Sequence, residues 1–187
     1  MKRTHPLAAP ILLAAGVLLS AFSLAALQPE LTRHADVIDG GTLNLNLPGY
    51  TALRLEGLDA PQAEYVCTRN GQPWNCGADA RAYLIQLLEQ QDPSMERVSC
   101  KPIGKDAEQR TVARCWTYSS MDPQHHGINI SERMLDIGLA FPMIPTPPAL
   151  QLAVGRAKHS RAGLWGTDNS ASGLPHAAVP AASATTH

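Results

Sequence analysis

The chain has 187 residues, 15 basic and 16 acidic side chains, a formal net charge of −1 and 5% aromatic content. That length gives room for one domain of ordinary size and a single core. The balanced charge argues against a protein that holds nucleic acid through a strongly basic surface alone, because phosphate neutralisation supplies most of such affinity.

Lys2 and Arg3 open the chain, and the stretch from Leu7 to Leu27 then carries no charge. This pattern predicts a signal peptide over 1–25, since Ser23-Leu24-Ala25 has the small-x-small form that a signal peptidase reads. The alternative is an anchor over 7–27, whose 21 residues just span a bilayer. Cleavage predicts an exported protein, periplasmic or secreted, with no stable membrane embedding. It also leaves 13 basic residues against 16 acidic ones, a net charge of −3.

Thr42-Leu43-Asn44-Leu45-Asn46-Leu47 alternates apolar and polar residues, which predicts a strand ending at the Pro48-Gly49 turn. The returning segment Ala52–Glu56 keeps the alternation, placing Leu53 and Leu55 inward and Arg54 and Glu56 on the opposite face. Residues 62–77 hold Cys67, Asn70-Gly71, Pro73 and Cys76, a loop with two turn signals. From Ala78 to Gln91 there is no Gly or Pro, and Ala80, Tyr83, Leu84, Leu87 and Leu88 recur at helical spacing, which predicts an amphipathic helix.

Arg97–Cys100 and Thr111–Tyr118 read as strands around a polar loop. The four cysteines are Cys67, Cys76, Cys100 and Cys115, and an exported chain permits disulfides. Three pairings are possible. Local closure of the 67–76 loop and antiparallel neighbours at 97–100 and 111–118 favour Cys67–Cys76 and Cys100–Cys115. Zinc is the competing reading, but separations of 9 and 15 lack close Cys-x-x-Cys pairs.

His125-His126 sit in a Met-Asp-Pro-Gln-His-His-Gly stretch that reads as a solvated loop. Asn129 with Glu132 three residues later predicts a capped helix that stops at Gly138. Pro147-Pro148 predicts a second short helix ending near Gly163, locked by Leu164 and Trp165. Residues 167–187 offer too few large apolar groups to offset ordering entropy and are expected to be a disordered tail. No internal repeat is visible. Strands, a hairpin, a helix, two further strands and two terminal helices fit a mainly β, α+β fold, a Greek-key barrel of the OB type with appended helices.

Several motifs in chain order carry a resemblance. Val37-Ile38-Asp39-Gly40-Gly41-Thr42 resembles Val-Ile-Asp-Gly-Asp-Thr, and Arg54-Leu55-Glu56-Gly57-Leu58-Asp59-Ala60-Pro61-Gln62 resembles Arg-Leu-x-Gly-Ile-Asp-Ala-Pro-Glu. Asp106 to Ala113 is similar to Asp-x-Tyr-Gly-Arg-x-Val-Ala, and Gly138-Leu-Ala and Gly163-Leu-Trp match closing helical segments. These are motifs of the staphylococcal-nuclease-like (thermonuclease) family, and the likeness covers about residues 34–166. The Cys67–Cys76 segment is similar to its exported bacterial members.

The resemblance implies a five-stranded OB barrel and a calcium-dependent phosphodiesterase acting on DNA and RNA. Carboxylates would hold calcium, a glutamate would activate water, and two arginines would neutralise the phosphate. By position, Arg54 and Arg110 are the catalytic, phosphate-binding arginines, and Asp39 and Asp59 are metal-side carboxylates. Gly41 stands where a metal ligand is expected, Gln62 where the general base is expected, and Glu108-Gln109 replace the Tyr-Gly before Arg110. Calcium is therefore expected to bind weakly. The reading that follows is an impaired nuclease that keeps an anion-binding cleft for nucleic acid, a nucleotide or another anionic ligand. Two alternatives stand beside it: an active endonuclease with a metal site rebuilt from Asp39, Asp59 and Glu56 or Glu64, and a non-enzymatic envelope interaction module.

Overall fold

A computed structural model describes residues 29–91 and 97–168. The signal segment expected at 1–25, its alternative as an anchor at 7–27, and the tail from 169 onward lie outside the described residues. Among the described residues no helix is long and apolar enough to cross a membrane.

The elements run β1 (Leu31–His34), β2 (Asp36–Asp39), β3 (Thr42–Asn44), β4 (Leu53–Leu55), β5 (Leu58–Asp59), β6 (Cys67–Arg69), β7 (Gln72–Trp74) and α1 (Cys76–Gln91). There follow β8 (Arg97–Lys105), β9 (Thr111–Tyr118), β10 (His126–Asn129), α2 (Ile130–Asp136), β11 (Phe141–Pro142) and α3 (Gln151–Ser160), with 3-10 turns at Pro148–Leu150 and Gly163–Gly166. The main sheet has the order β1-β8-β9-β4-β3-β2, with β10 added to β9. Because only Ala35 separates β1 from β2, the two ends of that path are one continuous strand, and the sheet curls back on itself. β4 and β9 run parallel and every other pairing in this sheet is antiparallel, which gives the OB architecture expected from the sequence.

Alternation places Leu43, Leu53 and Leu55 in the core, where α1 adds Leu84 and Leu88 and α2 adds Ile130, Met134 and Leu135, all at most 1% exposed. Each buried leucine contributes roughly 1.5–3 kcal/mol of transfer free energy, so this cluster is the main source of fold stability. Both favoured disulfides are present, Cys67–Cys76 and Cys100–Cys115. The second joins directly opposed residues of β8 and β9, both fully buried.

Several boundaries differ from expectation for local reasons. β3 stops at Asn44 rather than Leu47, because Asn44 Oδ1 accepts the Asn46 N–H and Asn46 takes a left-handed conformation at φ 54°. The 62–77 loop contains a hairpin, β6–β7, whose Asn70-Gly71 turn has both φ values positive. That dipeptide is the signal which could have identified it. α2 is capped as expected by Asn129, whose side chain accepts the Glu132 N–H, but the Glu132 carboxylate turns to Arg156. Gly138, at φ 72°, closes α2 with Leu139 N–H donating to Met134 O and Gly138 N–H to Leu135 O.

α3 ends at Ser160 on a left-handed Arg161, three residues before Gly163. Gly163 serves a contact instead: a Cβ there would lie 2.2 Å from Gly138 O, and Leu164 N–H donates to that same oxygen at 2.7 Å. Leu164 is buried, and Trp165 packs edge-on against Phe141, which forms the expected lock. The first residues of the expected tail are docked. Asp168 accepts the Asn70 and Gly71 N–H groups, two donors that the tight turn leaves unpaired.

Candidate functional site

β2, β3 and β4 lie side by side, with Asp39 opposite Thr42 and Thr42 opposite Arg54. Strand alternation therefore carries these three residues into one row across the sheet. β5 follows β4 through Gly57 and is held by β11, where Phe141 pairs with Asp59. The Gly40-Gly41 turn is fixed from above by α1: a Cβ on Gly40 would lie 2.7 Å from Ala80 Cβ, and Arg81 Nε donates to Val37 O at 3.1 Å.

Arg54 donates to Thr42 Oγ1 at 3.0 Å and to Asp59 Oδ1 at 3.2 Å. The arginine side chain is 14% exposed and the aspartate 31%, so this pair is partly shielded from water. Asp39 turns onto its own loop, Oδ1 accepting the Gly41 N–H at 2.8 Å. Gln62 and Glu64 are exposed on the loop after Pro61. That loop is pinned by Tyr65 N–H to Gln62 O and Gly77 N–H to Tyr65 O.

Arg110 sits at the entry to β9, two residues before Val112, the residue opposite Arg54. It is held by acids of its own loop: Nε donates to Asp106 Oδ2 at 2.7 Å, its backbone N–H to Asp106 Oδ1, and Nη2 to Glu108 Oε2 at 3.0 Å. Gln109, where the resemblance expects glycine, adopts a left-handed φ of 63°. Burial alone would raise the Asp106 carboxyl, but the Arg110 backbone and side-chain hydrogen bonds and its charge outweigh burial and hold it below the ordinary aspartate value. Burial would likewise lower the Arg110 guanidinium, and bonding to Asp106 with the charges of Asp106 and Glu108 raises it instead.

A carboxyl depressed in the folded state contributes stability above its unfolded value, and that contribution is lost as pH falls through the folded value. Acidification below the ordinary aspartate value is thus expected to release the 106–110 loop. In urea titrations against pH, Asp106→Asn should lower stability at neutral pH and flatten the acid limb relative to wild type.

Glu56, which alternation places on the same face as Arg54, pairs with Arg114 of β9 through two bonds of 2.6 and 2.8 Å. Parallel pairing of β4 with β9 brings these two together, a partner that linear spacing does not reveal. Glu56 is thereby committed away from the turn at Gly41.

Calcium, the ion implied by the resemblance, takes about six to eight oxygen ligands. Among the described residues no group of three or more His, Cys, Asp or Glu side chains is placed to hold a metal ion. Gly41 supplies no side-chain oxygen, one oxygen of Asp39 is bonded to its own turn, and one of Asp59 to Arg54. The donor set does not fit a calcium site of the expected kind. What the row offers is an arginine held by an aspartate, and a second arginine held on the neighbouring loop.

Among comparisons with known proteins, a family model described as staphylococcal nuclease homologue matches residues 52–167. No curated protein matches the chain.

Proposed function

This chain belongs to the staphylococcal nuclease homologue family, and on that premise we propose that it is an exported member whose metal-dependent cleavage is impaired and whose arginines retain a phosphate-binding role. One observation carries the reading: Arg54 and Asp59 pair with each other beside a turn where Gly41 leaves no carboxylate. An aspartate engaged by an arginine is a poorer ligand for a divalent ion, and an exposed glutamine at position 62 cannot accept a proton near neutral pH. Arg54 and Arg110 remain as cations that a phosphodiester, nucleotide or acidic polymer can engage by charge-assisted bonds. Export is supported by the N-terminal pattern and by two disulfides, which persist in oxidising compartments.

The role left to these residues is phosphate binding with little turnover. An incoming phosphate must compete with Asp59 for Arg54, and with Asp106 and Glu108 for Arg110, so affinity is modest and falls with salt. The test combines two measurements on purified protein. Hydrolysis of single-stranded DNA with calcium is expected to be far slower than that of ordinary family members. Binding of a short oligonucleotide is expected to weaken in Arg110→Ala. Turnover at ordinary family rates, abolished by Asp59→Ala, would establish an active endonuclease instead. Partner binding unchanged in an Arg54→Ala, Arg110→Ala double variant would favour the envelope module.

A further inference from the structure

The outer face of β1, β8, β9 and β10 bears an open cleft of about 460 Å³, lined among others by Thr32, Lys101, Arg114, Trp116 and His126. Neither Arg54 nor Arg110 lines it, so it is separate from the row described above. Its floor is set by register: Lys101 lies directly opposite Arg114, and Ser99, whose hydroxyl lies 2.9 Å from that of Thr32, lies opposite Trp116.

Like charges directly opposed on neighbouring strands are destabilising. The carboxylates near enough to relieve this pair are already engaged. Glu56 takes Arg114 through Nε and Nη2 from the far side, and Glu30 bonds His126 Nε2 at 2.6 Å. Among the described residues no carboxylate pairs with Lys101. The far wall is flat and rigid, because His126 stacks on Trp116 with centroids 3.8 Å apart and planes 8° apart, and His125 stacks on Tyr118. His125-His126, expected in a solvated loop, are therefore half-buried and fixed against the β9 aromatics.

We propose that this cleft is a second anion site, binding a phosphate group between the Lys101 ammonium and the Arg114 guanidinium, with the His126–Trp116 wall beside it. Glu56 already balances Arg114, so a phosphate dianion supplies the counter-charge that Lys101 lacks, and it can accept a further bond from Arg114 Nη1, the guanidinium nitrogen that Glu56 leaves unengaged. The cleft is within the size range of small-ligand sites, so a phosphomonoester fits as well as the free ion.

The experiment follows the Trp116 indole N–H signal by NMR while inorganic phosphate, a nucleoside monophosphate, or the same nucleoside without phosphate is added to the full-length protein. Saturable shifts are expected with the first two and not with the third. A tighter response to the nucleotide than to the free ion would assign the phosphomonoester as the ligand, and equal responses would assign the ion alone. Lys101 is exposed, so Lys101→Glu should keep the fold and weaken binding about tenfold or more, while Lys101→Arg restores it. Arg110→Ala should leave the Trp116 response intact, which separates this site from the proposed function. No saturable shift, an equal shift with the bare nucleoside, or insensitivity to Lys101→Glu would overturn the proposal.

Discussion

A double variant, Gly41→Asp with Gln62→Glu, is expected to gain calcium-dependent hydrolysis of single-stranded DNA by a factor of about 10² to 10⁴ over wild type, the range that a positioned general base supplies. Neither change should suffice alone. Glu at position 62 without a bound ion has no activated water to act on, and Asp at position 41 without a base has no proton acceptor. The two changes differ in what they cost. A Cβ on Gly41 would lie 2.9 Å from Leu58 Cδ1 and 3.3 Å from Ala60 Cβ, and Leu58 is fully buried. Gly41→Asp should therefore lose about 1–3 kcal/mol through overpacking. Gln62 is exposed, so Gln62→Glu should stay within about 0.5 kcal/mol of wild type. Initial rates with and without calcium, together with urea midpoints, separate chemistry from stability. Equal rates in wild type and double variant would remove the basis for the impaired-nuclease reading.

Gly77→Ala should lose about 3 kcal/mol or more, a large share of the stability of a domain this size. A Cβ there would lie 1.8 Å from Gln62 O and 2.8 Å from Gln62 C, backbone atoms that cannot swing aside as a side-chain terminus can. The first turn of α1 and the loop carrying Gln62 must then separate, which breaks the Gly77 N–H bond to Tyr65 O. The same clash would move position 62, so Gly77→Ala placed in the double variant above should cancel its gain in rate. Gly155, in the middle of α3, is the contrasting case, because a Cβ there would meet nothing within 4 Å. Gly155→Ala should stabilise by about 0.5–1 kcal/mol, because only the backbone entropy of glycine is removed. Urea midpoints of the two variants, shifted in opposite directions, are the check.

Elements with a strong local cause were legible. The alternation of Leu53 and Leu55 around Arg54, the helical spacing of Ala80, Leu84, Leu87 and Leu88, and the stop at Gly138 follow from periodicity and backbone conformation within a few residues. Both cysteine pairings were legible because each closes a short segment. What escaped depended on partners distant in the chain. β11 exists only through its pairing with β5, and Gly163 is required by its contact with Gly138 rather than by the end of α3. His126 became part of a stacked wall because β10 folds back along β9 to place it on Trp116.

The site divides in the same way. The sequence alone determined which functional groups are present and which are missing, since Gly41 and Gln62 lack carboxylates in any conformation. It also determined that Arg54 leaves the core, because strand periodicity is local. Only the tertiary structure decided which charge each charged group meets. Glu56 belongs to Arg114 across two strands, whereas Asp59 meets Arg54 and Asp106 and Glu108 meet Arg110 within a few residues of chain; in each case the folded distance, not the spacing along the chain, sets the strength of the ion pair.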